Sequence, residues 1–125
     1  MSRKTSPTLT PGELRLMTVL WDRGEATVVE IQQALDEALI DSTIRTLLGI
    51  LERKRCVSRR KEGRAFVYRP TVSRGDTSRR QLRQVVDRFF GTPADLLLNM
   101  LGNEELTADE LKKIKAAIRD RETGR

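Results

Sequence analysis

Three threonines, each followed three places later by a glutamate, fix where this chain begins helices: Thr10-Pro11-Gly12-Glu13, Thr27-Val28-Val29-Glu30 and Thr107-Ala108-Asp109-Glu110. In such a box the threonine oxygen accepts from a first-turn amide and the glutamate reaches back to the threonine's own amide. The first box predicts a helix from Pro11 to Arg23, with proline at its first position, Gly24 as its stop and Leu9 stapled to Leu14. Leu14, Met17, Leu20 and Trp21 are expected on its buried side. The second predicts a short helix to about Leu35 with Val28, Ile31 and Leu35 inward. After a turn, Asp41 or Ser42 is expected to cap a third helix reaching about Lys54. Two short helices and a longer third, joined by brief turns, spell a helix-turn-helix.

Two segments of strand character follow, Cys56–Arg60 and Ala65–Arg69, around Lys61-Glu62-Gly63-Arg64, where Gly63 permits a tight turn and Pro70 closes the second strand. A basic hairpin directly after a third helix is a wing. Thr71 to Thr77 reads as a polar connection. Beyond it Leu82, Val85, Val86, Phe89 and Phe90 recur at helical spacing and define one apolar face. Thr92-Pro93-Ala94-Asp95 starts a short helix through Leu101, and the third box starts a last one, with Leu106 stapled to Leu111 and a stripe of Leu111, Ile114 and Ile118. From Glu122 onward fraying is expected. The fold class that emerges is mainly α: a winged helix-turn-helix over residues 8–71, then a three-helix segment over 74–122 whose apolar stripes call for a partner.

Composition removes whole classes of function. Histidine is absent and Cys56 is the only cysteine, which excludes an internal disulfide and removes most metal sites and most nucleophilic triads. Carboxylate-only chemistry stays open in principle, but the acidic residues are scattered rather than gathered around an apolar pocket. No enzyme, metal or cofactor is expected, and Cys56 at the start of a strand reads as a small buried hydrophobe. No apolar run approaches the roughly 20 residues of a membrane span. The opening MSRKTSPTLT carries basic residues without an apolar stretch, so no export signal and a cytoplasmic location are expected.

The net charge of +6 is unevenly spread. Residues 41–90 hold fourteen basic and five acidic side chains, whereas residues 1–40 hold four and six, and residues 91–125 six and seven. In the basic island arginine far outnumbers lysine, and arginine suits phosphate and base-edge recognition. At about 100° per residue, Ile44, Leu47, Leu48 and Leu51 of the third helix share one arc, which must face a core. The opposite arc holds Ser42, Thr46, Gly49 and Arg53, with Thr43 and Arg45 at its edges. That slim, hydroxyl-rich face suits a major groove, with Arg45 able to reach guanine and the threonine methyls to meet thymine. Arg59, Arg60, Lys61 and Arg64 are expected at or near the wing tip, where like charges repel unless an anionic partner is present.

The stretches LTPGELRLMTVLWDRGEATVVEIQQAL, STIRTLLGILERK, RAFVYRP and LLLNMLGNEELTADEL resemble the penicillinase repressor family, the BlaI/MecI type, from about Leu9 to Ile118. The resemblance implies a homodimer that binds a palindromic operator in double-stranded DNA and blocks transcription. It implies DNA contacts at Ser42, where the family commonly has lysine, and at Thr43, Arg45 and Thr46. It also implies dimer contacts from the C-terminal helices, here Leu82, Val85, Val86, Phe89, Phe90, Leu97, Leu101, Leu111, Ile114 and Ile118. In the best-known members a membrane sensor protease triggers cleavage of an Asn-Phe bond in the dimer domain; the corresponding bond here is Asn99-Met100. The paired cysteines of a copper-responsive branch are absent, so copper sensing is not expected. Two rival readings of the residues stand beside a specific repressor: an adaptor whose basic wing binds an acidic protein, and an architectural protein that binds DNA without sequence preference.

Overall fold

The computed structural model describes residues 8–124; the basic N-terminal segment on which the expectation about an export signal rests lies mostly outside them. The chain divides between Leu82 and Arg83 into two compact units. The first holds α1 (Pro11–Arg23), α2 (Val28–Ala34), α3 (Asp41–Arg53), the hairpin β1 (Val57–Glu62) and β2 (Ala65–Pro70), and most of α4 (Arg74–Val85). The second holds the end of α4, a π-helical turn at Val86–Phe90, α5 (Pro93–Gly102) and α6 (Ala108–Gly124). This is the expected mainly helical architecture, a winged helix-turn-helix followed by helices.

The first two capping boxes form in full. The Glu13 amide donates to Thr10 Oγ1 at 3.2 Å while the Thr10 amide donates to Glu13 Oε1 at 3.0 Å, and Thr27 with Glu30 repeats the exchange. Gly24 ends α1 at φ 91°, a value that favours glycine, and its amide closes on the Leu20 carbonyl. The buried residues of α1 are Glu13, Leu16, Met17, Val19 and Leu20: Met17 and Leu20 are inward as expected and Trp21 packs partly buried against the core, but Leu14 is exposed. The helix turns Glu13 inward because its carboxylate is both the cap's acceptor and the partner of Lys54, and that rotation carries Leu14 out. Ile40, not Asp41 or Ser42, caps α3, and no side chain bonds its first amides. The Asp41 carboxylate is taken one turn later by Arg45 instead.

The fully buried side chains Leu16, Met17, Leu20, Ile31, Ile44, Leu48 and Leu51 make one core from α1, α2 and α3, joined by Val57 and Tyr68 of the hairpin and by Cys56, which lies just before β1 and not, as expected, within it. Cys56 is thus packed as a hydrophobe, and burial pushes its thiol up from its ordinary range. The strands pair antiparallel from Val57 with Pro70 to Glu62 with Ala65. They are longer than expected: Lys61 and Glu62 belong to β1, because the ladder runs on to a two-residue Gly63-Arg64 turn that Gly63 enters at φ 61°. Ala26 pairs with Tyr68 through two backbone hydrogen bonds, of 2.9 and 2.8 Å, and adds a third chain segment to the sheet. Trp21 and Asp22 fasten the next element. Trp21 Nε1 donates to the Val72 carbonyl at 2.9 Å, and Arg74 pairs with Asp22 at 2.7 Å while lying over the Trp21 ring. The connection is accordingly shorter than Thr71–Thr77, since α4 has begun by Arg74.

In the second unit Thr92 caps α5, and Thr107 with Glu110 forms the last full box. The helix α6 continues to Gly124, past the point where fraying is expected. The stretch expected to form one apolar face, Leu82–Phe90, ends in the π-helical turn, and its residues differ in burial. Val86 is buried at 2% exposure, Phe90 is half-buried and Phe89 is 75% exposed. Leu82, Val85, Leu97, Leu98, Leu101 and Ile118 are exposed, while Leu111 and Ile114 are half-buried.

Candidate nucleic-acid interface

The side of α3 turned from the core carries the expected residues. Ser42, Arg45, Thr46 and Arg53 are exposed, and Thr43 and Gly49 are half-buried beside them. Gly49 has no internal reason to be glycine: a methyl there would have Arg53 Nη1 as its nearest neighbour, at 3.9 Å. The helix rests on Ile44, Leu48 and Leu51, whose complete burial fixes the rotation of the outer face. Lys54 then anchors its C-terminal end, donating to Glu13 Oε1 at 2.6 Å and to the Thr8 carbonyl at 2.9 Å.

Arg45 is not a loose cation. Its Nε donates to Asp41 Oδ1 at 2.6 Å, one turn back on the same helix, and the guanidinium is held more firmly protonated by that carboxylate. Neither Asp41 nor this pairing was visible as part of the site in the sequence. The only cue was the i, i+4 spacing of an acid and a base.

The wing departs from expectation in its electrostatics. Arg59 and Arg60 lie within β1, near the hairpin end as expected, but acidic groups of this chain already face them. Arg60 donates in fork fashion to both oxygens of Glu25, at 2.8 and 3.0 Å, and twice to Glu62 Oε2. The guanidinium between them lowers the Glu25 carboxyl below its ordinary range, and both carboxylates raise Arg60. Arg59 stacks 4.1 Å over the Phe66 ring and reaches Glu52 of α3 at 3.3 Å, which ties the wing to α3. Internal partners thus relieve the repulsion that seemed to demand an external polyanion. Lys61 and Arg64 are exposed at the hairpin end and have no ion-pair partner among the described residues. Arg53 is in the same state at the end of α3.

No group of acidic or cysteine residues able to hold a metal occurs among the described residues, and no described helix is long and apolar enough to cross a membrane. The penicillinase repressor family model matches residues 9–120. The chain belongs to the penicillinase repressor family. It is 31% identical over 114 residues to the penicillinase repressor of Bacillus licheniformis, covering 89% of both chains. It is 26% identical over 112 residues to the methicillin resistance regulatory protein MecI of Staphylococcus aureus, covering 86% of this chain and 89% of the relative. Among solved structures, the DNA-binding domain of the repressor BlaI superposes with a TM-score of 0.52 at 32% identity, over 59% of this chain and 93% of that one. The oxidised form of MarR from E. coli shares the fold, with a TM-score of 0.53 at 19% identity over 90% of this chain and 74% of that one. This member of the penicillinase repressor family is a DNA-binding transcriptional repressor and not an enzyme.

Proposed function

We propose that this penicillinase repressor family member acts as a homodimer on a palindromic operator, each copy placing α3 in a major groove. The observation that carries the dimer is the apolar surface of the second unit: Val85, Phe89, Leu97, Leu98, Leu101 and Ile118 all stand exposed on a single chain. Apolar surface on that scale marks an interface, and a two-fold pair of identical chains matches a two-fold operator. Ser42, Thr43, Arg45, Thr46 and Gly49 face base edges, while Arg53, Lys61 and Arg64 meet phosphates. Arg59 and Arg60 join them by exchanging carboxylate for phosphate.

One reader alone contacts too few groups to hold DNA tightly, and joining two raises affinity through effective concentration. Loss of the dimer face therefore releases DNA without touching α3. Cleavage at Asn99-Met100, by a route that begins at a membrane sensor protease, would have that effect. The bond lies within α5, so that helix must open locally before a protease can reach it. The test is Phe89→Asp in the full chain, with sedimentation and DNA anisotropy measured together. A shift to monomer with operator affinity falling toward that for random DNA is the expected result. A variant that stays dimeric, or a monomer that binds as tightly as the parent, refutes the proposal.

A further inference from the structure

On the reading that Arg45 contacts a base edge, we propose that Asp41 is a specificity-determining positioning residue. It aims the Arg45 fork at guanine and at the same time disfavours phosphate contacts by the reading helix. The geometry is specific in which nitrogen it occupies. Asp41 Oδ1 accepts from Arg45 Nε at 2.6 Å, so the side of the guanidinium that carries Nε is taken, while the two terminal nitrogens have no acceptor among the described residues. Those two nitrogens are the pair that meets guanine O6 and N7 in a bidentate contact. A free arginine on a helix searches many rotamers; one tethered at Nε presents the same fork each time, and less entropy is lost when the base arrives.

The carboxylate also acts on its own. Both groups are exposed, so near DNA the Asp41 charge faces a polyanion. It repels phosphate wherever Arg45 has no base to read, which weakens wrong registers more than the right one. Asp41 is thus an acid inside a basic reading surface, where charge counting alone would have no use for it.

The test uses the full-length protein with a duplex that the parent selects from a randomised library, the single-base-pair variants of that duplex and a scrambled duplex, all read by fluorescence anisotropy. Melting curves verify that each variant is folded. Asp41→Ala removes both acceptor and charge; Asp41→Asn keeps an oxygen for Nε and removes the charge. Arg45→Ala first identifies the base pair that Arg45 reads. At that base pair Asp41→Ala is expected to lower base preference roughly two- to tenfold, the lower figure being that of an exposed helix pair and the upper that of one desolvated in a groove. Asp41→Asn is expected to retain the preference, and both variants to bind the scrambled duplex more tightly than the parent. In Asp41→Ala/Arg45→Ala the preference is expected to be no lower than in Arg45→Ala alone. Unchanged base preference in Asp41→Ala, with preference lost in Arg45→Ala, overturns the role of Asp41 while Arg45 keeps its own. Preference unchanged in Arg45→Ala at every base pair removes the base-reading assignment itself, and Asp41's with it.

Discussion

The Glu13–Lys54 contact pins the C-terminal end of α3 to α1, and replacing Glu13 by glutamine isolates its charge. Glu13 is 3% exposed, and the Lys54 side chain is 23% exposed. One oxygen of Glu13 accepts from both Lys54 Nζ, at 2.6 Å, and the Thr10 amide, at 3.0 Å. Glutamine can keep the bond to Thr10 but offers Lys54 only a neutral oxygen. A hydrogen bond between charged groups contributes about 1.5–3 kcal/mol against about 1 for a neutral one, so the expected loss is about 1–2 kcal/mol. The larger figure for breaking a fully buried pair does not apply, because Lys54 retains the Thr8 carbonyl and some contact with water. At roughly 4 °C per kcal/mol for a chain of this size, the melting temperature should fall by about 4–8 °C. Lys54→Met should cost more than the glutamine variant, since it strands an anion. Glu13→Leu/Lys54→Met should recover much of the loss, because neither charge then needs a partner.

The pH dependence gives the sign. Burial raises the Glu13 carboxyl, but the hydrogen bond from Lys54, the amide of Thr10 and the Lys54 charge outweigh it, and the group ends below its ordinary value of 4.5. A depressed folded value means that the contribution is fully present above pH 4.5 and is lost as pH falls through the folded value. The gap between parent and Glu13→Gln melting temperatures, followed at fixed protein concentration by circular dichroism, should therefore be constant at neutral pH and close in acid. A gap that is absent at neutral pH, or that survives undiminished in strong acid, refutes the assignment of this stability to the ion pair.

Gly49→Ala should raise the melting temperature, as alanine is favoured over glycine by about 1 kcal/mol within a helix and a methyl at this position meets nothing closer than 3.9 Å. The same variant should weaken operator binding in an anisotropy titration, and undiminished binding would take Gly49 out of the interface. Glu25→Gln/Glu62→Gln frees Arg60, so affinity for a scrambled duplex should rise and the slope of log affinity against log salt should steepen by about one; an unchanged slope would show that Arg60 does not reach phosphate. Trp21→Phe removes the bond from Nε1 to the Val72 carbonyl while keeping most of the packing, and should cost about 1 kcal/mol in urea denaturation. No measurable loss would mean that the bond does not hold α4 in place.

What the sequence disclosed and what it hid separate along a physical line. Caps and apolar periods act within one turn of their own residue, so Thr10, Thr27 and Thr107 announced their helices, and Ile44, Leu48 and Leu51 announced which side of α3 is free. The Ala26–Tyr68 pairing and the Trp21–Val72 bond join residues more than forty positions apart and leave no periodic trace. Charge was misjudged for the same reason. Summed along the chain, Arg59 and Arg60 are part of a cationic island; in space Glu25, 35 positions away from Arg60, and Glu52 of α3 sit against them. The consequence is functional. A wing with every arginine bare would grip any duplex, whereas one in which Arg59 and Arg60 already hold carboxylates is expected to yield them only where phosphate offers a better fit. On the proposed reading, discrimination by this protein rests on its acids as much as on its bases. That is why Asp41, Glu25 and Glu62, which lower the net charge and therefore argue against DNA when residues are merely counted, are the positions at which substitution should separate tight binding from selective binding.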